Sequence, residues 1–189
     1  MTDIEKELLK EVNELRTNPK GYAEKIEKNK LYFKDKGKIY KHPDDKAGIK
    51  TEEGAEAYDE AIDFLKNKAE AVEALIPSKG LNKIAIDILT EYQKNIDAEL
   101  NLDEIIGKHG SYTGAYRQVV QFGSSRPEQI IINLVVSDGD KTRGQRDALL
   151  QDNVKKIGVA FGTHETYRNL TVITECTKFE NTIDADDTA

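Results

Sequence analysis

The chain of 189 residues has no tryptophan, a single cysteine, three histidines and four prolines. One cysteine, Cys176, excludes any disulfide within the chain, so stability has to come from packing and hydrogen bonds. So few histidines leave little material for a metal centre or a general base, because imidazole is the commonest side chain in both roles. No apolar run approaches the roughly 20 residues that cross a bilayer. The longest stretch, from Ile130 to Val136, is interrupted by Asn133. Met1 to Glu7 shows no basic segment leading into an apolar one, which predicts that there is no signal peptide and that the compartment is the cytosol. A formal net charge of −7 argues against nucleic acid as a bulk partner.

What is present suits one domain with a modest core: 38% of residues are hydrophobic and 33% charged, too apolar for a disordered chain and too short for two full domains. Residues 1–179 are expected to form that domain, and 180–189 an acidic tail. The charge is uneven. Residues 20–50 carry ten lysines against five acids, +5 in a chain whose remainder sums to −12, and such asymmetry suits an acidic protein surface as partner.

Thr2 and Glu5 have the spacing of a capping box, and Ile4, Leu8, Leu9, Val12 and Leu15 then recur at helical period. Asn18-Pro19 ends that helix and starts a second, to about Leu31. Tyr58, Ile62 and Leu65 predict a third helix over about 52–67, and Leu81, Ile84, Ala85, Ile88, Leu89 and Tyr92 a central one after Pro77-Ser78. Ser125 and Glu128 read as a second capping box, opening an apolar helix that Asp138-Gly139 stops. Ile157, Val159 and Phe161 alternate with Gly158, Ala160 and Gly162, which predicts a strand whose small face packs closely against a neighbour. With Leu170 to Thr177 it forms an expected antiparallel hairpin. Helices first and paired strands last give an α+β domain.

Residues 138–161 resemble the signature of the CAP (SCP/PR-1-like) superfamily in a protist-type branch, roughly Asp-Gly-x-x-Ser-Arg-Gly-His-Arg, then a short helix and Gly-Val-Ala-Phe-Gly. Asn13 to Tyr22, Ser78 to Leu81 and Phe161 to His164 resemble further blocks of the same branch in the same order, so the resemblance covers about residues 5–179. It implies an α-β-α sandwich with a small antiparallel sheet between helices. It also implies a cleft in which two histidines and two acids bind a divalent ion in some members, and secreted members usually carry several cysteines, unlike this chain.

The chain departs from that pattern. Gln145 stands in place of the signature histidine, and Thr142 to Gln145 also has capping-box spacing, so Gln145 is expected to close a short helix. In the family's Gly-His-x-Gly-Ser block this chain has Gly107-Lys108-His109-Gly110-Ser111: Lys108 takes the ligand position and His109 falls one residue late, able to reach the site only if the loop shifts. An ammonium about 5 Å from a divalent ion costs about 7 kcal/mol at an effective dielectric of 20. The family's Gly-Glu-Asn-Ile block reads as deleted, which leaves Glu128 as a helix-cap residue more than a ligand and Asp138 as either a second acid or part of an ordinary helix stop. Lys108, His109, Glu128, Asp138 and Gln145 therefore outline a vestigial cleft, with no catalytic residue, metal or cofactor expected.

Elsewhere Cys176 reads as buried packing, and His42 and His164 as solvent-facing. Asp138, Asp140 and Thr142 open like a calcium loop, but Arg143 and Leu149 occupy the positions that need glycine and glutamate, and that assignment fails. Residues 34–51 read as a loop. Its start interleaves Tyr32, Phe33 and Tyr40 with Lys34, Lys36, Lys38 and Lys41, either a solvated loop with its aromatics tucked onto the domain or a docking loop for an acidic partner.

The expectation drawn from all this is a non-enzymatic, intracellular CAP-domain protein that binds other proteins, as part of a larger assembly for which the protist resemblance suggests a cytoskeletal or ciliary setting. The alternative is a CAP protein with an operating cleft, taking a lipid or a divalent metal, or a hydrolase using His109 and Glu128.

Overall fold

In the computed structural model, which describes residues 1–182, α1 (Asp3–Thr17) opens on the expected cap. The Thr2 hydroxyl accepts from the Glu5 N–H, and the Glu5 carboxylate accepts in return from the Thr2 N–H at 2.7 Å. Glu5 also reaches across to accept from the N–H of Phe161, which ties the helix start to the sheet. Asn18 ends α1 and caps α2 (Pro19–Lys30) through the Gly21 N–H. α3 (Ala55–Asn67) and α4 (Lys79–Lys94, capped by Ser78) stand where the helical periodicity places them.

Four strands form the main sheet, in the order β4 (Ile76–Pro77), β6 (Lys156–His164), β7 (Arg168–Asn181), β5 (Gly110–Phe122). β4 runs parallel to β6, and the other pairings are antiparallel. Successive side chains of β6 and β7 point to opposite faces and so feed two cores. Ile157, Val159 and Ile173 join α1, α2, α3 and α6 (Pro127–Val136) on one face. Ala160, Leu170, Val172 and Cys176 join α4 and α5 (Leu102–His109) on the other. The architecture is α+β, with helices on both faces of the sheet. α4 lies so close to β6 that a Cβ on Gly158 would sit 2.1 Å from the Leu81 carbonyl carbon, which is why the alternation on that strand is apolar against glycine and alanine.

The segment between α3 and β4 is held by two side chains of α1. Asn13 pairs with the Leu75 backbone in both directions, at 3.1 and 2.7 Å. The fully buried Arg16 donates to the carbonyls of Glu73 and Leu149 at 2.9 and 2.6 Å, satisfying a charged group that would be costly to bury unpaired.

Several expectations are corrected. Residues 34–51 are more than a loop: β1 (Phe33–Lys34), a 3₁₀ turn at Asp35–Gly37, β2 (Ile39–Tyr40) and β3 (Ile49–Lys50) make a second, three-stranded sheet. Ser125 and Glu128 form no capping box, because Arg126 is the N-cap of α6 and Pro127 occupies its first turn, where the missing N–H costs nothing. Nor do Thr142 and Gln145: the short α7 (Gly144–Leu149) starts from Arg143 in the left-handed conformation, with no side-chain cap. Of the expected tail 180–189, Glu180 and Asn181 end β7, and 183–189 lie outside the described residues. His164 is buried, its Nδ1 accepting from the N–H groups of Thr166 and Tyr167, and His42 is partly covered against the Tyr32 ring. Cys176 is buried as expected, and burial pushes its thiol up to about 11.

Candidate functional site: a polar cleft beneath the lysine-bearing lobe

The five residues of the expected vestigial cleft divide between two sides of the sheet. Lys108 and His109 occupy the last turn of α5, where Lys108 pairs with Glu104 and the His109 ring nitrogen lies 2.8 Å from the Asp87 carboxylate of α4. Both partners belong to the α4 side. On the other side Glu128 accepts from the Asn29 amide at 3.1 Å and stands 3.9 Å from Lys25, so it braces α2 against α6. Asp138 and Gln145 line one cleft, and they alone of the five are brought together.

Both oxygens of Asp138 are engaged in holding the fold. They accept from the N–H groups of Glu52 and Glu53 at 2.7 and 2.8 Å, closing the turn into α3. The neighbouring arginines Arg143 and Arg146 are scaffolding too. Arg143 chelates Glu53 at 2.6 and 2.8 Å and donates to the carbonyls of Ser137 and Asp140, and Arg146 grips Glu60 while stacking over the Phe64 ring at 4.3 Å. Bidentate guanidinium pairs of this geometry fix orientation as well as charge. The Asp138–Arg146 stretch thus clamps α3 onto α6 and α7.

Above that clamp lies a cavity of about 260 Å³. Its floor is one flank of α6, with Gln129, Asn133 and Ser137; Tyr58 of α3 and Gln145 of α7 form its walls; Tyr40 and Ile49 of the small sheet form its roof. The Tyr40 hydroxyl bonds to Asn29 at 2.7 Å and to Gln129, and Gln129 in turn donates to Asn133 at 2.8 Å. Burial pushes the Tyr58 hydroxyl up to about 12, partly offset by its hydrogen bond with Gln129. Arg126 forms a bidentate pair with Asp45 at 2.9 and 3.0 Å, and its buried Nε has no partner among the described residues. Ser137, 3% exposed, ends α6 in the left-handed conformation, and its hydroxyl has no partner among the described residues. Among those residues no group of three or more His, Cys, Asp or Glu side chains is placed to hold a metal ion.

Sequence reasoning did not reach Gln129, Asn133, Ser137 or Tyr58 as cleft residues. A signal for the first two existed: carboxamides four apart in an otherwise apolar helix share one face, and polar groups on a buried face need partners.

Roofing the cleft, the small sheet carries the four expected contact residues. Lys34, Lys36, Lys38 and Lys41 are all exposed, and none takes part in an ion pair among the described residues. The aromatic residues between them turn inward: Phe33 packs edge-on to Tyr58 at 4.9 Å and to Tyr40 at 5.5 Å. The lobe is therefore anchored by its rings and presents its ammonium groups to solvent. By contrast Lys25, Lys30 and Lys66, on the helices beside it, are each paired with acids. No helix among the described residues is long and apolar enough to cross a membrane.

No family model and no curated protein matches this chain. Among solved structures, an outer surface protein from Borrelia burgdorferi is similar with a TM-score of 0.46 and 13% identity, over 59% of this chain and 80% of that one. A likeness of that strength carries no conclusion about what this chain does.

Proposed function

We propose that this chain is a non-enzymatic, CAP-like binding protein that docks on an acidic protein surface through Lys34, Lys36, Lys38 and Lys41, as a component of a larger cytoplasmic assembly of the cytoskeletal or ciliary kind. The observation that carries the reading is the lobe itself: four exposed, unpaired lysines on a small sheet locked to the core by Tyr40 and Phe33, in a protein of net charge −7. Fixed, unneutralised charge of one sign on a body of the other sign is what steers association with an acidic partner. The separation of His109 from Glu128, Asp138 and Gln145 supports a role without catalysis, since a hydrolytic pair needs to lie within hydrogen-bond reach of one substrate atom.

Reversing the four lysines to glutamate is expected to leave the melting temperature within a few degrees, since exposed lysines contribute little to stability, and to weaken capture of partners from the native cell and flatten its salt dependence. Quantitative mass spectrometry of proteins captured by parent and variant across a salt series measures this. Equal capture by both at low and moderate salt, with loss on substituting Gln145 instead, would move the working surface from the lobe to the cleft.

A further inference from the structure

The cleft beneath the lobe has hydrogen-bonding capacity that the protein does not use. Ser137 lines the cavity, and its buried hydroxyl meets no partner among the described residues. Burying such a group unsatisfied costs on the order of 1–3 kcal/mol, so its persistence calls for a reason. Gln145 faces the same space with neither end of its carboxamide bonded to a described residue, and Asn133, whose oxygen accepts from Gln129, keeps its amide N–H groups free. Tyr58 and Tyr40 bring ring carbon to the cavity, and Val136 and Ile49 add aliphatic surface. The charged groups around it balance, Arg126 paired with Asp45 and the Asp138 carboxylate, which accepts from two backbone N–H groups, set against Lys50 at the solvent edge.

That inventory selects among ligand classes. A phosphate or carboxylate ligand needs surplus positive charge or a row of N–H donors; here Arg126 is paired with Asp45, leaving only its buried Nε–H without a partner among the described residues, and Asp138 offsets Lys50. A zinc-type site needs three or four thiolate, imidazole or carboxylate ligands, and among the described residues no group of three such side chains is placed to hold a metal ion. A purely apolar ligand would leave the serine and both carboxamides unsatisfied. What remains is a ligand whose polar atoms, like a serine hydroxyl or a carboxamide, both donate and accept, and whose ring faces are apolar enough to lie against tyrosine and valine.

We propose that the cleft lined by Ser137, Gln145, Asn133 and Tyr58 binds a small uncharged polyhydroxyl compound of monosaccharide size. Its volume of about 260 Å³ lies just below the range of roughly 300–1,000 Å³ that holds drug-sized ligands, and fits one ring. The site is distinct in chemistry from the cationic lobe, and the lobe's Tyr40 and Ile49 roof it, so occupancy and docking share one element.

Saturation-transfer NMR on the full chain with glucose, galactose, N-acetylglucosamine and myo-inositol, each at millimolar concentration, tests this, with glucose 6-phosphate as the charged comparison. At least one neutral probe is expected to bind, and glucose 6-phosphate more weakly than glucose. Gln145→Leu and Ser137→Ala are each expected to raise the dissociation constant about tenfold, the loss of roughly one hydrogen bond. Gln145 is partly exposed, so Gln145→Leu keeps the test sound should Ser137→Ala destabilise the end of α6, and a thermal melt checks both variants. Absence of transfer to every neutral probe overturns the proposal, as does binding that survives Gln145→Leu or a phosphate ester that binds as tightly as its sugar. The variant with four reversed lysines should bind the sugar like the parent, so failure of the docking reading and failure of this one are told apart.

Discussion

Glu175 is the residue in this fold least reconciled with its surroundings. It sits on β7, 2% exposed, and neither of its carboxylate oxygens has a partner among the described residues. Burial pushes its pKa up to about 8 from an ordinary 4.5, with Arg16 and Arg117 pulling partly back. The folded protein therefore holds this proton between about pH 4.5 and 8, where the unfolded chain has lost it. The stabilising contribution is fully present below about 4.5 and is lost as the pH rises through about 8. Glu175→Gln keeps the shape and removes the titration. The variant is expected to be more stable than the parent at pH 9, by an amount that shrinks on acidification towards pH 5. Urea unfolding at a series of pH values measures the difference, and a gap that stays constant with pH would place an ionised Glu175 in the folded state.

Helix α7 and the turn before it limit what a single substitution at Gln145 can change. Gln145→His would restore the imidazole that the CAP resemblance leads one to expect, yet the surrounding cleft supplies no second histidine, and both acids that line it are committed, Asp45 to Arg126 and Asp138 to backbone N–H groups. His109 is held by Asp87 on α4. A tight zinc site needs three or four ligands, so the single variant is expected to show no sub-micromolar zinc affinity by calorimetry. Tight binding would mean that Asp138 and His109 are released from those contacts at little cost. At this scale much of the fold was legible. The 3.6-residue rows of α1 and α4, the Asn18-Pro19 junction and the alternation of β6 against Gly158 each reflect a local rule that the core reinforces. α5 and β5 were not read, because eight residues of helix give too short a period, and β5 mixes tyrosine, threonine, glycine and glutamine without clean alternation. The cleft was legible only at Asp138 and Gln145. Gln129 and Asn133 left a local trace as carboxamides on one face of an apolar helix, whereas Tyr58 comes to the cleft through packing of α3 against α6, which no local pattern records.

Across the whole molecule, two cores share one wall. Ile88 of α4 is fully buried on one face of the sheet and Ile131 of α6 on the other, and β6 and β7 contribute side chains to both faces. Loss of either helix layer would strip an apolar face from strands that the other layer still needs. A hydrophobic face left in water has no compensating partner, so separate melting of the layers is disfavoured. Ile88→Ala and Ile131→Ala are each expected to destabilise the whole chain by about 2–5 kcal/mol, the usual cost of emptying a buried aliphatic site. Each variant should melt in a single transition, with calorimetric and van't Hoff enthalpies in agreement. The chain has no tryptophan, so tyrosine near-ultraviolet and backbone far-ultraviolet dichroism serve as the two probes: Tyr22 and Tyr58 report on the α6 side and Tyr116 on the α4 side. If Ile88→Ala instead produced an early transition that unfolds α4 and α5 while the near-ultraviolet signal largely persists, the α4 layer would be a separable unit docked on an independently stable one. The lobe and cleft, built entirely on the α6 side, would then keep their shape without it.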